Sequence, residues 1–203
     1  MMYRRYLKRC FDFSIAITAI ALFSPLMALV ALLVRLKLGS PILFVQPRPG
    51  LNEKIFNMYK FRTMTSARDS RGQLLPDSER LTSFGRLLRS TSLDELPELW
   101  NVVKGDMSLV GPRPLLVKYL PHFSEHERRR HTVRPGVTGL AQVSGRNNLP
   151  WAQRFVLDVR YVDNLSFVLD CKILLSTVAR VVSRKDVTEC ASNLDFKDLD
   201  IER

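Results

Sequence analysis

The stretch FSIAITAIALFSPLMALVALLV, residues 13–34, sets the class of this chain. Its 22 residues carry no formal charge, which is enough for an α-helix to cross the hydrocarbon core of a bilayer. The stretch is too long for the apolar region of a cleaved signal peptide, and no A-x-A-like cleavage site follows it. It therefore predicts a helix that stays with the protein and inserts into a membrane.

Two features of this segment favour a helix that enters and leaves the same leaflet over one that spans the membrane. Both flanks are basic, which draws both ends toward the cytoplasm; the residues are Arg4, Arg5, Lys8 and Arg9 before it, and Arg35 and Lys37 after it. In addition, Ser24 and Pro25 lie near its middle, where proline removes a backbone hydrogen bond and predicts a kink. The Ser24 hydroxyl can then satisfy a freed carbonyl. A kinked spanning helix remains the alternative.

Charge divides the rest of the chain. The 203 residues carry a net charge of +11, but residues 186–203 hold six acids against two bases. We therefore predict a membrane-associated segment (1–38), a folded domain (39–185) and a short, solvated, mobile acidic tail (186–203). The strongly basic body suggests an anionic partner. The three cysteines share no C-x-x-C spacing, so neither a disulfide framework nor a cysteine zinc site is indicated.

The pattern after the membrane segment predicts an α+β fold with little strand. Residues 41–64 alternate around a Pro-Gly-Leu-Asn turn and predict a β-hairpin, and 65–80 read as a surface loop. Helices are predicted at 81–89, from Ser92 to Val103, at 116–130, at 151–162 and at 171–185, with a loop and short strand at 134–147. The last helix is basic and amphipathic, which suits either a membrane interface or a core helix with a solvated face.

Three acids gather in the stretch STSLDELPELWN, residues 90–101: Asp94, Glu95 and Glu98. The ordinary structural explanation is a capping box, with Ser92 and Glu95 closing the first turn of a helix. Against it stand several basic residues on Gly/Pro-containing segments: Lys60, Arg62, Arg89, Arg113, Arg134 and Arg146. Guanidinium groups on rigid turns suit phosphate recognition. Because carboxylates can hold Mg²⁺ or attack phosphorus, the combination suggests phosphoryl chemistry.

Three stretches carry a resemblance to a known family: KFRTM (60–64), LRSTSLDELPELWNVVKGDMSLVGPRPL (88–115) and RHTVRPGVTGLAQVSGRN (130–147). They closely resemble the bacterial sugar transferases, monotopic phosphoglycosyl transferases, in their minimal form. The resemblance implies transfer of a sugar 1-phosphate from a UDP-sugar to polyprenyl (undecaprenyl) phosphate, with release of UMP and a requirement for Mg²⁺. It also implies a re-entrant helix, interfacial amphipathic helices and a catalytic domain on the cytoplasmic face of the bacterial inner membrane.

The resemblance also assigns roles to residues. Asp94 is the expected nucleophile, which forms a covalent phosphosugar intermediate and touches Mg²⁺; Glu95 supports the metal or orients the acceptor. Arg113, between Pro112 and Pro114, is expected to bind phosphate, and Arg146 the nucleotide-sugar; Lys60, Arg89, Asp158 and Asp170 fall in matching segments. Two positions depart from the pattern: Glu98, where many relatives carry Gln, and Ser144, where Asn is usual.

Two other functions, nucleic-acid binding and zinc-dependent proteolysis, each match one feature of the sequence. Net charge alone would suit a nucleic-acid-binding protein, but no helix-turn-helix or RRM signature is present, and no nucleic-acid partner is expected. HFSEH, His122–His126, matches the H-x-x-E-H pattern of a zinc protease, with Glu125 as base, but a charged, solvated helix face is the favoured explanation of so short a match. The sugar, the pathway (protein glycan, O-antigen of lipopolysaccharide, or capsule) and the oligomeric state, including a homodimer, are left open by the sequence.

Overall fold

The computed structural model describes residues 2–145 and 149–183; the acidic tail predicted for 186–203 lies outside them. The helices are α1 Lys8–Leu38, α2 Asp77–Arg80, α3 Ser83–Ser90, α4 Glu98–Lys104, α5 Glu125–Arg128, α6 Leu140–Ser144, α7 Trp151–Asp163 and α8 Phe167–Ser183. A π-helical turn, Tyr3–Leu7, precedes α1, and 3₁₀ turns cover Leu51–Glu53, Leu93–Glu95, Val117–His122 and Arg129–Thr132. The strands are β1 Leu43–Pro49, β2 Ile55–Phe61, β3 Ser108–Val110 and β4 Gly136–Thr138.

The apolar segment forms α1, a single helix of 31 residues with Pro25 inside it. Within the described residues it is the one helix long and apolar enough to cross a membrane. Pro25 has no N–H to offer the Ala21 carbonyl, and the Ser24 hydroxyl donates to that carbonyl at 2.9 Å. Ser24 thus satisfies the carbonyl that Pro25 leaves free, and the kink expected at this pair stays a prediction.

Both ends of α1 are fixed to the rest of the protein. At the first end, Lys8 Nζ lies 2.6 Å from Asp170 Oδ2, and Asp12 accepts hydrogen bonds from the hydroxyl of Ser108 and the N–H of Leu109. The other end joins an apolar cluster made of Val30, Val34, Leu38, Phe61 and Leu88. The buried Arg62 guanidinium donates to the carbonyls that follow, of Leu38, Ser40 and Pro41. Tertiary contacts thus hold α1 at its two extremes.

The predicted hairpin is confirmed: β1 and β2 pair antiparallel, with Phe44 opposite Lys60. The free edge of β2 is satisfied by one buried side chain of α4. The Asn101 side chain accepts from the Tyr59 N–H at 3.1 Å and donates to the Asn57 carbonyl at 2.7 Å. Because Asn101 takes the place of a third strand, α4 is held in register against the hairpin.

The second sheet is a short two-stranded parallel ladder, β3 beside β4, in the larger apolar cluster. Glycine at 111 and 136 is required there, because a Cβ on either would lie within 2.4 Å of the opposite backbone. The cluster draws on α1, β2, α4, β3, α7 and α8; its fully buried members include Val102, Met107, Val110 and Tyr161. Helix α1 is therefore part of the core.

The fold class, a mixed α and β structure with a long N-terminal apolar helix, agrees with the expectation, but three local predictions need correction. The 116–130 region is two 3₁₀ turns flanking the short α5, since Pro121 cannot continue a regular helix. Residues 134–147 contain α6 as well as β4. The last helix, predicted at 171–185, begins earlier, at Phe167; in it Ile173 is buried, whereas Leu175 and Val178 are 72% and 62% exposed.

Candidate active site

The acidic stretch is not a helix N-terminus of the predicted kind. Ser92 lies in the left-handed region (φ 56°), makes no side-chain cap, and is followed by the 3₁₀ turn Leu93–Glu95, with α4 beginning only at Glu98. The capping-box explanation of Ser92 and Glu95 is therefore wrong. A true capping box forms elsewhere, between Ser124 and Glu127. The tight turn places Asp94 and Glu95 against β2 and the 111–114 loop.

Asp94 has the environment of a reactive carboxylate. It is 8% exposed, and within residues 2–145 and 149–183 no hydrogen bond or ion pair reaches its oxygens. Burial, together with the neighbouring Glu95 charge, raises the pKa of Asp94 to about 6, and the charges of Lys60, Arg89 and Arg113 oppose that rise. Three cations near an unpaired carboxylate would attract the phosphate groups of a ligand.

Glu95 is held by two cations. Its Oε1 lies 2.7 Å from Lys60 Nζ and 2.7 Å from Arg113 Nη2. Burial alone would raise the pKa of Glu95, but the charges of Arg113 and Lys60 outweigh it and keep that pKa well below its usual range. Glu95 is therefore a permanent anion that fixes Lys60 and Arg113 beside Asp94, which explains why two adjacent acids differ so strongly.

Glu98 is the third acid of the cluster. It is 2% exposed, and its Oε1 lies 3.1 Å from Lys60 Nζ, so Lys60 lies between two carboxylates. Burial raises the pKa of Glu98 to about 7; Lys60 lowers it and Glu95 raises it further. Glu98, which departs from the family pattern, thus adds a buried carboxyl group that takes up a proton near neutral pH.

The loop that carries Arg113 is fixed at three consecutive carbonyls. The Pro112 carbonyl accepts from the Gly136 N–H at 3.0 Å, the Arg113 carbonyl from Arg130 Nη2 at 2.7 Å, and the Pro114 carbonyl from Arg48 Nη1 at 3.2 Å. The donors come from β4, the Arg129–Thr132 turn and β1. The Arg113 guanidinium is therefore presented to Glu95 from a rigid backbone.

Asp158 takes part in this arrangement through another residue. It is 3% exposed and accepts from Arg130 Nη2 at 2.7 Å and from Arg130 Nε at 3.1 Å. The two side chains form a buried ion pair behind the Arg113 loop. Neither Arg130 nor Arg48 was singled out from the sequence. The sequence contains many arginines, and no local pattern shows that these two donate to the carbonyls of the Arg113 loop.

Arg89 reaches the site from α3. Its Nε donates to the Thr63 hydroxyl at 3.1 Å, and α3 starts with Thr82 capping the Gly85 N–H. A Cβ on Gly85 would lie 1.8 Å from the Thr63 carbonyl oxygen, so only glycine allows α3 to approach the end of β2. The close approach of these two segments sets the place of Arg89.

The remaining sequence candidates lie apart from this cluster or outside the described residues. Asp170 is fully buried and accepts from Tyr3, Lys8 and Tyr161, so its described contacts tie α8 to the start of α1. Arg146 lies outside the described residues. A direct contact of either residue with substrate stays a prediction.

The alternative zinc site is wrong. His122 ends a 3₁₀ turn, Phe123 is extended, and Ser124 caps the next helix, so His122 and His126 do not share a helix face. Over 2–145 and 149–183, no group of three or more His, Cys, Asp or Glu side chains is arranged to hold a metal ion.

Comparison with known sequences decides the family. The sequence model described as bacterial sugar transferase matches residues 3–184. The chain belongs to the bacterial sugar transferase family. This bacterial sugar transferase is 55% identical over 183 residues to an uncharacterized sugar transferase, EpsL, of Bacillus subtilis, which covers 90% of this chain and 91% of that protein.

Two relatives with named activities are longer. This sugar transferase is 40% identical to the undecaprenyl-phosphate glucose phosphotransferase of Komagataeibacter xylinus, over 86% of this chain and 36% of that protein. It is 39% identical to the undecaprenyl-phosphate galactose phosphotransferase of Salmonella typhimurium, over 90% of this chain and 41% of that protein. The chain thus spans well under half the length of these two relatives.

Proposed function

We propose that this protein transfers a sugar 1-phosphate from a UDP-sugar to undecaprenyl phosphate, releasing UMP, as a membrane step of bacterial glycoconjugate assembly. Support comes from the family and from the two relatives whose names specify undecaprenyl-phosphate sugar phosphotransfer. The observation that carries the proposal is the nearly buried Asp94 carboxylate, which has no hydrogen bond or ion pair within the described residues and lies near Lys60, Arg89 and Arg113.

In the proposed reaction an Asp94 oxygen attacks the sugar-bearing phosphorus of the donor, and the bond from that phosphorus to the UMP oxygen breaks. UMP leaves, and Asp94 carries the phosphosugar as an acyl phosphate. An oxygen of the acceptor phosphate then attacks the same phosphorus, the bond to Asp94 breaks, and the carboxylate is restored. The product is a polyprenyl diphosphate sugar.

The neighbouring residues stabilise the charge that moves during these steps. Arg113 and Lys60, both fixed by Glu95, offer donors to the phosphate oxygens while Asp94 attacks. Since Glu95 already accepts from both cations, we assign it the positioning of those two side chains and a secondary part in metal binding. Arg130 and Asp158 hold the Arg113 backbone, so we assign Asp158 a positioning role in place of direct substrate contact.

Mg²⁺ fits this cluster as a substrate-associated ion. Protein Mg²⁺ sites commonly use one or two carboxylates together with substrate phosphates and waters, so a larger protein cluster is not required. Within the described residues the Asp94 oxygens accept no hydrogen bond, so they would be available to such an ion, with Glu95 beside them. When bound, Mg²⁺ would neutralise charge on the donor diphosphate.

We further propose that α1 lies in one leaflet, with the catalytic domain on the cytoplasmic face of the inner membrane. A straight helix of 31 residues is about 46 Å long, so a spanning helix would place one end on the far side of the bilayer. Yet Lys8 and Leu38, at opposite ends of α1, both contact the same domain. The exposed apolar side chains of α1 and of α8, including Leu22, Phe23, Leu175 and Val178, would then face lipid.

Thiol labelling tests the one-leaflet arrangement. Cys10 is exposed near the start of α1 and Lys37 near its end, so a variant keeping only Cys10 is compared with a cysteine-free Lys37→Cys variant. With a membrane-impermeant maleimide, both are expected to react in inverted vesicles and neither in spheroplasts. Opposite reactivity of the two variants would show that α1 spans the membrane.

UMP release tests the reaction. Purified full-length protein with Mg²⁺ and undecaprenyl phosphate is given UDP-glucose, UDP-galactose or UDP-N-acetylglucosamine. Wild type is expected to release UMP with one of them, and Asp94→Asn to lower the rate at least about 10³-fold. The control is Asp163→Asn, which makes the same change at an exposed site of α7. Full activity of Asp94→Asn would remove Asp94 from the mechanism.

A further inference from the structure

Phe44 is a large apolar side chain next to the catalytic cluster. It lies directly opposite Lys60 in the hairpin, and residues opposite each other in an antiparallel pair project from the same face. Lys60 Nζ in turn lies 2.7 Å from Glu95 Oε1. The Phe44 side chain, although next to this charged group, is 45% exposed.

The face that carries Phe44 is covered farther along the hairpin. Arg48 lies on the same face and donates to the Pro114 carbonyl, and Met58, opposite Gln46, is buried in the larger apolar cluster. The Arg113 loop therefore covers the half of this face that ends at Pro49. Among the described residues the other half is more open: Phe44 is 45% exposed, and the Lys60 side chain beside it is 15% exposed.

The open half of the hairpin lies at the end of the membrane helix. Ile42 packs with Val34 and Leu38 in the smaller apolar cluster, so β1 begins where α1 ends. The next three residues, Leu43, Phe44 and Val45, are all apolar and 39–46% exposed. An exposed apolar run continuous with a lipid-facing helix is expected to contact the acyl region of the same leaflet.

We propose that the isoprenoid chain of the acceptor lipid enters beside β1 and packs its first isoprene units on the Phe44 ring, which brings its phosphate to Lys60. The inference rests on the proposed function and adds the acceptor subsite. It explains why a half-exposed phenylalanine borders a cluster of charges: one side of the ring faces lipid, and the adjacent lysine meets the phosphate that the lipid carries.

Stacking on the uracil of the donor is the competing role for Phe44. The structure favours the lipid, because the apolar surface runs from Phe44 toward α1, whereas the arginines Arg48 and Arg113 lie toward the covered half of the hairpin face. The two roles differ in the substrate whose KM depends on Phe44.

The test measures UMP release by full-length wild type, Phe44→Ala, Phe44→Leu and Val45→Ala, varying the acceptor and the donor in turn. Val45 is the matched control: it is next in the chain, equally exposed, and projects from the opposite face, across from Tyr59. Two acceptors are used, undecaprenyl phosphate and the short, soluble geranyl phosphate. Thermal unfolding of each variant confirms that it folds.

We expect Phe44→Ala to raise the acceptor KM about tenfold, or about 1.4 kcal/mol, without changing the donor KM. The increase persists with geranyl phosphate, because the contact involves the first isoprene units. Phe44→Leu, which keeps an apolar side chain, is expected to raise the acceptor KM less than Phe44→Ala, and Val45→Ala to stay within about twofold of wild type. An equal increase in Val45→Ala, or an increase seen only with the long acceptor, would indicate general membrane seating and overturn the inference. A raised donor KM would assign Phe44 to the uracil, and an unchanged acceptor KM would exclude it from the subsite. If wild type releases no UMP, the proposed function itself fails.

Discussion

Lys60 lies between two carboxylates that differ in protonation, and this contrast is the main property of the site at the scale of single residues. Glu95 forms ion pairs with Lys60 and Arg113, whereas Glu98 is buried against Lys60. The free energy of burying Glu98 as an anion exceeds its attraction to Lys60, so the pKa of Glu98 rises to about 7. The folded protein therefore binds a proton on Glu98 at pH values where the unfolded chain does not.

Glu98→Gln is predicted to stabilise the protein at alkaline pH. A folded-state pKa above the unfolded value means that the wild type loses stability as the pH rises from about 4.5 to 7. The amide keeps the size of the side chain without the charge. In detergent with EDTA, the variant is expected to gain about 1–3 kcal/mol over wild type between pH 5 and pH 8.

The measurement is thermal or denaturant unfolding at both pH values, with Glu79→Gln as the control. Glu79 is exposed on α2, so this variant changes the net charge equally without touching the site. A Glu98→Gln difference that is the same at pH 5 and pH 8 would contradict the prediction, because it would show that Glu98 does not titrate in this range.

At the scale of elements, α7 carries two ion pairs whose contributions to stability differ, because one is buried and the other is exposed. Asp158 faces inward and pairs with Arg130, and both side chains are at most 5% exposed. Asp163, at the end of the same helix, pairs with Arg129 in solvent, where both side chains are nearly half exposed. Only the inner pair also holds the Arg113 carbonyl.

Asp158→Asn is predicted to destabilise the protein by about 3–5 kcal/mol, because it leaves the buried Arg130 without its partner. Asp163→Asn, the matched exposed change, is expected to cost less than about 1 kcal/mol. Chemical denaturation compares the two. Where Asp158→Asn still folds, UMP release should fall through a lower kcat, since Arg113 is no longer held in place; equal stability of the two variants would contradict this account.

At the scale of the whole molecule, the membrane helix is part of the fold. Ala16 lies in the larger apolar cluster, and Val30, Val34 and Leu38 lie in the smaller one. Asp12 and Lys8 satisfy buried polar groups of β3 and α8. The elements that follow α1 therefore share their core with it.

Removal of residues 1–38 is predicted to prevent folding. The truncated chain would expose both clusters to water and leave Asp170 and Ser108 without partners from α1. The expected result is aggregated protein with no cooperative unfolding transition, compared with full-length protein in the same detergent by size-exclusion chromatography and thermal unfolding. A monomeric fragment that unfolds cooperatively would show that α1 is only an anchor.

Local patterns were enough for much of this molecule. The length of the apolar run predicted α1, the alternation around Pro-Gly-Leu-Asn predicted the hairpin, and the resemblance selected Asp94 and Glu95 as candidates. These features depend on neighbours a few residues away, through helix periodicity, strand alternation and the missing N–H of proline. Ser92 is an exception, because the S-x-x-E pattern predicted a helix capping box, whereas its backbone is left-handed and forms no side-chain cap.

Only the tertiary structure determines which acidic and basic side chains form ion pairs. Lys60 and Glu95 are 35 residues apart, Arg130 and Asp158 28, and Lys8 and Asp170 162, and no local pattern distinguishes these basic residues among the 31 in the chain. Within the described residues, packing leaves Asp94 without an ion pair, pairs Glu95 with Lys60 and Arg113, and buries Glu98 against Lys60. Sequence determines which side chains are present and their local backbone; the solvation and pairing that set their charge exist only once distant elements have packed together.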